Sequence, residues 1–455
     1  MEKIVSLAKR RGFIFPGSEI YGGLAGTWDY GPLGVELKNN IKQMWWKRFV
    51  QQRDDMVGID SAVIMNPRVW EQSGHVETFT DPLVECSVCK NRWRTDALDQ
   101  IGARNSDGSY QCPTMVVSKI KGEKDIHCPG KLSEPRNFNL LFRTFVGAVE
   151  DSTSTAYLRP ETAQGMFVNF KNILDTTHKK LPFGIAQIGK AFRNEITPRD
   201  FIFRSREFEQ MEIEYFIQEQ DWKKYFDHWL DEMRRWIKDI GINEAQAHEL
   251  EVPEDELAHY SKRTVDFEYD FPFGKKELYG LAYRTDFDLK NHFKEPPYAQ
   301  EGIEPFYPHV IEPTWGVDRT VLAVLLSAYR EEKNEKGIRV YLALPPNISP
   351  YQAAVFPLVG NKEHIVEKAR SVYQSLKFRM SVAWDDRGNI GKRYYAQDEI
   401  GTPFCITIDY QTLEDDTVTV RDRDTAKQER VGIENLVLLL TEKHLSSLVV
   451  KPKKS

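Results

Sequence analysis

Phe183-Gly-Ile-Ala-Gln-Ile-Gly-Lys-Ala-Phe-Arg-Asn-Glu195, followed after a loop by Arg206-Glu-Phe-Glu-Gln-Met-Glu-Ile-Glu-Tyr-Phe216, decides the fold of this chain. Both segments alternate with period two and read as strands. In the first, Gln187, Gly189, Ala191, Arg193 and Glu195 share one face. In the second, Phe208, Gln210, Glu212 and Glu214 share a face, while Glu207, Glu209, Met211 and Ile213 share the other. Alternating charge usually marks the solvated side of a sheet. Here the charges neighbour glycines and a lone aromatic in place of lysines. Buried carboxylates without partners are costly, so this face calls for a cationic ligand or fixed arginines. Between the strands, Ile196–Ser205 carries Arg199 and Arg204, with Arg206 next to them. Guanidinium groups clustered at such a tip suit a phosphate chain. A phenylalanine beside them can stack on an adenine ring, with Arg319 a candidate for the opposite face.

Other segments agree with that reading. Tyr307-Pro-His-Val-Ile-Glu-Pro-Thr-Trp-Gly-Val-Asp-Arg319 predicts a strand that breaks at Glu312-Pro313, then a helix from Gly316 with Arg319 in its first turn. A helix N-terminus and an arginine together favour an anion. Arg159-Pro-Glu-Thr-Ala-Gln-Gly165 puts Glu161 in a turn, either as a cap-like acid before a helix or as a ligand group. Glu277-Leu-Tyr-Gly-Leu-Ala-Tyr-Arg-Thr-Asp-Phe-Asp288 adds carboxylates and Arg284 on a further strand. Neither a GxxxxGK[ST] nor a GxGxxG loop occurs, which leaves P-loop and Rossmann chemistry unsupported.

Working outward, Leu37, Ile41, Met44, Trp45 and Phe49 recur at helix spacing behind Gly31-Pro-Leu-Gly34. Trp45 and Trp46 cannot share a face, so a second apolar surface such as a subunit contact is expected. Residues 85–133 form a turn-rich insert with four of the five cysteines. From Arg159 to Tyr215 the chain reads as strand-like, and 219–263 as charged helices. Strands return at 264–289 and 307–313, and a helix is expected from about 316 to 332. Glu331–Gly337 reads as a solvated hinge, with Arg339–Pro345 opening a separate small α/β domain.

Composition sets the class. The chain has 455 residues, 62 basic and 68 acidic, for a net charge of −6, with 41% hydrophobic and 29% charged residues. That is the balance of a soluble globular protein of two or three domains. No membrane-length apolar run and no secretion signal are seen, and few cysteines point to a reducing, cytoplasmic setting. A nucleic-acid partner would need a local basic surface. Cys86-x2-Cys89 with Cys112 and Cys128 supplies four thiolates for a tetrahedral, purely structural zinc site. The second pair is widely spaced, His127 competes as a ligand, and a knuckle reduced to unliganded cysteines stays open.

Phe192–Glu195 through Arg206–Phe208 resembles motif 2 of the class II aminoacyl-tRNA synthetases, Gly316–Arg319 their motif 3, and Gly31–Gly34 with its helix their dimer-forming motif 1. Tyr21-Gly-Gly23, Trp28–Gly34, Arg159–Gly165 and Glu312-Pro-Thr314 are similar to the glycyl-tRNA synthetases of the single-chain homodimeric type. Asp398–Cys405 extends the likeness into an anticodon-binding domain. The resemblance implies an α+β catalytic domain on an antiparallel sheet (1–335, insert included) and a C-terminal α/β anticodon-binding domain (338–455). It also implies ATP and Mg²⁺, glycine, a glycine tRNA and a second copy of the chain as partners.

By the same resemblance Arg193, Glu195 and Arg319 are the catalytic group. ATP would lie among Arg193, Asn194, Glu195, the run Phe203, Arg204, Ser205, Arg206, Glu207 and Phe208, then Glu277 and Leu278 near Mg²⁺, and Gly316, Val317, Asp318 and Arg319. Glycine would sit among Arg94, Glu161, Phe208, Glu209, Gln210, Met211, Glu212, Arg284, Glu312, Pro313, Thr314, Trp315 and Gly316. Two positions depart from the family's habit. Arg94-Thr-Asp-Ala97 stands where Arg-Ala-Asp-His is common, and Thr314 where serine is usual. Lys392, Arg393, Arg421 and Arg423 are candidates for anticodon-stem contact, or else a solvated strand face. Non-catalytic accessory proteins share this fold, but such a paralogue should lack some of these arginines and acids, which are all present here.

Overall fold

The computed structural model describes residues 1–116, 126–300, 302–334 and 337–446. Helix α1 (Glu2–Arg11) precedes α2 (Pro32–Trp46), which Gly31 enters in an extended conformation with Pro32 in the first turn. Proline costs nothing there, because that N–H has no helical partner anyway. Trp45 is fully buried in the core. Trp46 packs instead on strand β1 (Met56–Gly58): a Cβ on Gly58 would lie 2.3 Å from its ring. The second apolar face therefore finds cover within the chain.

Strands β2 (Thr80–Glu85), β3 (Arg92–Arg94) and β4 (Arg136–Asn139) form a small antiparallel sheet with β2 in the centre. The 159–215 stretch is less uniform than its strand-like text suggests. Helices α3 (Ala163–Val168) and Phe170–Thr177 precede the quoted strands, β5 (Phe183–Phe192) and β6 (Glu207–Ile217). Next come α4 (Trp222–Asp239), β7 (Ala247–Glu251), β8 (Arg263–Phe271), β9 (Gly274–Thr285), α5 (Phe287–His292), β10 (His309–Gly316) and α6 (Val317–Ala328). The helical expectation for 219–263 ends at Asp239, since 247–251 joins the sheet edge and turns Glu249 and Leu250 to solvent.

The main sheet has the order β7-β8-β9-β10-β6-β5-β1, antiparallel apart from the β5–β1 edge. Its central register pairs Gln187 with Glu212, Gly189 with Gln210, and Ala191 with Phe208. The polar faces of both strands thus coincide. The opposite face, with Met211, Ile213, Tyr215 and Trp315, packs on α2, the Lys47–Gln51 turn that follows it and α4 through Trp45, Phe49, Trp229 and Trp236. One face is core, and the other is free for chemistry.

Strand β10 does not break at Glu312-Pro313 but runs on to Gly316. Its ladder with β6 covers Glu212↔Thr314 and resumes at Tyr215↔Ile311, so Pro313 lies in a gap on the β6 side while pairing with Leu281 of β9 on the other. Helix α6 ends at Ala328, four residues short of expectation. Tyr329–Asn334 is strand β11, hairpinned with β12 (Gly337–Leu342), so the charged run is a paired ribbon rather than a hinge.

The C-terminal sheet contains β13 (Ala353–Pro357), β14 (Val382–Trp384), β15 (Phe404–Ile408), β16 (Thr417–Asp422) and β17 (Gln428–Gly432) in the order β14-β13-β15-β16-β17. Helices α7 (Glu363–Lys377), α8 (Ile390–Ile400) and α9 (Leu436–Ser446) accompany it. Three of the four arginine/lysine candidates for RNA contact are interior. Arg393 donates to the carbonyls of Pro357, Leu358 and Gly388, Arg421 pairs with Asp398 at 2.8 Å, and Arg423 donates to the Gly401 carbonyl. All three are at most 6% exposed, so only Lys392, on the outer side of α8, keeps its charge for a partner.

Candidate active site

The polar face of β6, β9 and β10, with Arg193 and Glu195 just beyond β5, floors a cavity of about 560 Å³. One end is cationic. Arg193 is held by the Pro160 carbonyl at 3.1 Å, its guanidinium between the rings of Phe79 (5.4 Å) and Phe208 (5.3 Å). Arg319, in the first turn of α6, reaches Glu277 at 3.1 Å and lies 4.5 Å over Phe203. Burial depresses the Arg204 guanidinium, and Arg94, Arg199 and Arg319 add to the effect against Glu195. Mutually repelling cations in a cleft are relieved by a polyanion. Glu195 is 8% exposed, and one of its oxygens has no hydrogen-bond partner.

Carboxylates also face this end. Arg319 holds Glu277 below the ordinary carboxyl range, whereas burial and then Glu277 push Asp266 up to about 7. A Cβ on Gly280 would have an oxygen of Asp266 at 3.8 Å and one of Glu277 at 3.9 Å. Converging hard oxygens beside a phosphate-sized space are the donor set that Mg²⁺ takes.

The other end is acidic. Arg284, 2% exposed, donates to both oxygens of Asp288 at 2.8 Å and to both of Glu312 at 3.0 Å, under the Tyr260 ring at 3.9 Å. Glu161 lies 3.2 Å from His75 and accepts from Gln164 at 3.0 Å; burial opposes its ionisation, but His75 and Arg284 hold it far below the usual range. Glu212 accepts from the Thr162 hydroxyl, and from that of Thr314 at 3.0 Å. Burial pushes Glu312 up to about 8 despite Arg284, with Glu212 and Glu161 adding repulsion. The small residues of β5 leave less room than their size suggests. Arg159 fills the space over Gly189, where a Cβ would meet its guanidinium at 2.2 Å.

Of the expected residues, the cavity brings together Arg94, Glu161, Arg193, Glu195, Phe203, Arg204, Ser205, Phe208, Gln210, Glu212, Glu277, Leu278, Glu312, Thr314, Gly316 and Arg319. Arg284 stands behind the wall as the partner of Glu312. Others serve the scaffold. Arg206 ties the Ala25 carbonyl to that of Glu195, Glu207 pairs with exposed Lys190, and Asn194 is held through its backbone N–H by the Leu140 carbonyl. Met211, Trp315 and Val317 point into the core, and Pro313 occupies the ladder gap. Glu209 and Asp318 reach the cavity edge but are engaged there. Lys38 and Lys42 neutralise Glu209, and Asp318 accepts from Tyr30 at 2.5 Å and from the Glu209 N–H at 2.8 Å. His75, Asp81, Tyr260 and Asp266 were missed. Alternation of Val265, Phe267, Tyr269 and Phe271 turns Asp266 to the other side of β8 but names no partner for it, and only the fold brings His75, Asp81 and Tyr260 in.

The cysteines converge at the β2–β3 turn. Cys86 and Cys128 lie 3.7 Å apart, Cys89 and Cys112 3.6 Å, and all four sulfurs fall within 4.8 Å of one another. Thiolates on a metal at ~2.3 Å are spaced about 3.8 Å apart, so four soft donors in this arrangement fit zinc. The side chain of His127 lies outside the described residues.

Comparison with known proteins agrees with this geometry. Residues 147–339 match the family model "tRNA synthetase class II core domain (G, H, P, S and T)", and 352–443 match "Anticodon binding domain". Glycine–tRNA ligase of Alkaliphilus oremlandii is 51% identical over 461 residues, covering 97% of this chain and 98% of that protein. The glycine–tRNA ligases of Geobacillus thermodenitrificans and Thermobifida fusca are each 50% identical, again over 97% of this chain. With both signature domains and likeness along nearly its whole length, the chain belongs to the class II aminoacyl-tRNA synthetases, in the glycine–tRNA ligase family.

Proposed function

We propose that the chain activates glycine with ATP and passes the glycyl group to the 3′ end of a glycine tRNA. The charge-divided cavity carries this reading, with guanidinium groups at one end and carboxylates at the other. ATP is a polyanion, and glycine offers one ammonium and one carboxylate. Glu161, Glu212 and Glu312 hold the ammonium, which directs the glycine carboxylate towards the phosphate end. That carboxylate attacks the α-phosphorus in line, and pyrophosphate leaves with the electrons of the broken bond. Arg193 and Arg319 stabilise charge on the phosphate oxygens as it builds. Mg²⁺, held by Glu277 and Asp266 with the phosphates, would supply further neutralisation there. The terminal ribose hydroxyl of tRNA then attacks the glycyl carbonyl, and AMP departs. No protein nucleophile is needed.

In this reading 1–335 is the catalytic unit and 338–455 the anticodon unit, with Lys392 and the 39%-exposed Tyr395 on its outer face. The protein works in the cytoplasm as a homodimer. Ile20 and Tyr21, both 87% exposed, offer apolar surface for the second copy. Among the described residues no helix is long and apolar enough to cross a membrane. Zinc closes the cysteine cluster. Elemental analysis after dialysis against metal-free buffer should find about one zinc per chain, and metal-free protein with full activity would refute it. The decisive functional test is ATP–pyrophosphate exchange across the twenty amino acids. Exchange confined to glycine supports the assignment, and comparable exchange with another amino acid overturns it.

A further inference from the structure

The acidic end holds one carboxyl more than its donors can serve. Glu214 lies on β6, two residues beyond Glu212, so strand alternation turns it to the same face. It is fully buried, and neither carboxyl oxygen has a hydrogen-bond partner. Glu212, Glu214 and Glu312 each aim an oxygen at one point, the three atoms within 4.8 Å of one another.

The groups facing Glu214 come from every side of the cluster. Glu212 is on its own strand, Glu312 on β10, Arg284 on β9 and Asp288 on α5, with Glu161 and His75 beyond them. Arg284 is engaged by Asp288 and Glu312, and His75 by Glu161. Glu212 already accepts two hydroxyls. Among the described residues no donor bonds Glu214, and the unpartnered amide Nε2 of Gln187 on the adjacent strand makes no hydrogen bond to it. An acceptor is what the site offers, and a carboxylic acid needs only that.

We propose that Glu214 is a neutral carboxylic acid whose O–H is donated to Glu312, fixing that carboxylate beneath the amino-acid ammonium. It is a positioning residue, and this role rests on the glycine reading above. Burial, and next the charge of Glu312, push Glu214 well above the carboxyl range. Arg284 meets Glu312 through two contacts and makes none to Glu214, so the one proton that this buried pair shares sits on Glu214. A proton here also keeps metal cations from occupying the space behind the ammonium.

The folded protein then holds a proton that the unfolded chain loses above the ordinary glutamate range, so this group's contribution to stability falls as pH rises. Glu214→Gln keeps shape and an N–H donor without a proton to lose. Melting temperature measured from pH 6 to pH 9 should fall more steeply in the wild type, so that Glu214→Gln gains on it steadily as pH rises. Parallel curves, or a variant that loses ground with pH, would overturn the proposal. Kinetics test the positioning. Glu214→Leu should raise the glycine KM by about tenfold with the ATP KM unchanged, and Glu214→Gln should restore it to within about threefold. A glutamine variant that behaves like leucine refutes the donor role. Should neither variant fold, infrared spectroscopy of the wild type in D₂O at pH 8 decides. A protonated-carboxyl band supports the assignment, and its absence refutes it. If wild-type protein fails to activate glycine, the functional reading fails, while the stability and infrared results still report on the proton.

Discussion

Two regions of the molecule bury charge, and they do so in opposite ways. In the C-terminal unit Asp398 is fully buried between Arg339 at 2.8 Å and Arg421 at 2.8 and 3.0 Å. Arg339 and Arg423 also donate to backbone carbonyls. Anion and cation answer each other, and the cluster welds β12, α8 and β16 together. In the catalytic cavity, Glu195 and Gln210 leave oxygens unpartnered, and on the same sheet face Gln187 leaves an amide nitrogen. Satisfied buried charge is scaffold. Unsatisfied buried charge costs stability in the free protein, and a substrate repays that cost when it binds.

If that contrast is right, the largest effect on activity belongs to the cationic end. Arg319→Ala should lower ATP–pyrophosphate exchange by about 10³-fold or more. tRNA affinity, spread over many phosphate contacts, should change less than about twofold. Equal loss of both in filter-binding and exchange assays would mean misfolding and erase the distinction. Asp398→Ala is the converse experiment. It strands Arg339 and Arg421 without their anion, so urea titration should show a loss of about 3–5 kcal/mol. Glycine activation at 25 °C should persist in the folded fraction. A stable variant that cannot activate glycine would put Asp398 in the wrong class.

How much of this contrast could be seen in the chain's text differs between the regions. Gln187, Gly189, Gln210, Glu212 and Glu214 share a face because period two has no alternative, and that much of the site was legible. Their partners were not. Lys38 and Lys42 take Glu209 out of the pocket from a helix some 170 residues earlier in the chain. Alternation places Arg421 on one side of a strand but cannot say whether that side meets water or Asp398. The run from Glu331 to Gly337 reads as a hinge because the end of β11 carries charge in place of an apolar period. Pro313 looked like a break because proline's usual place is an edge, and only the gap in the β6–β10 ladder shows how a central strand admits it.

A smaller effect sharpens the acidic end. Glycine gives Glu161 and Glu312 only an ammonium to hold, and alanine offers the same group. Attraction cannot separate the two, so the wall that includes Thr314 must do so by clash. Glu161→Ala should lower glycine activation by about 10²-fold, the scale of one lost charge-assisted contact. Alanine exchange should stay near background in both proteins. Measurable alanine exchange in the wild type would mean that the wall is absent.

The smallest effect concerns pH, where the two regions should run in opposite directions. In the C-terminal unit Arg430 donates to both oxygens of Asp409 at 2.6 and 2.8 Å and, with Thr412, holds that carboxyl down to about 2. An unfolded aspartate titrates near ~3.9. The folded state therefore binds its proton more weakly, and this contribution is present above ~3.9 and lost as pH falls towards 2. At the acidic end burial pushes the Glu214–Glu312 pair up, so the contribution of the proton they share declines as pH rises above the ordinary glutamate range. Asp409 and Arg430 are 20% and 28% exposed, and solvent screening cuts the effect to about 0.5–1 kcal/mol. Asp409→Asn should cost that much at pH 7 when urea unfolding is followed by amide exchange in β15. The gap to wild type should narrow between pH 5 and pH 3 and shrink in ~1 M salt, because the pair is screened. A gap that ignores both pH and salt would mean that Asp409 acts through its Thr412 contacts, not through charge, and the two regions would then differ in geometry but not in the sign of their electrostatics.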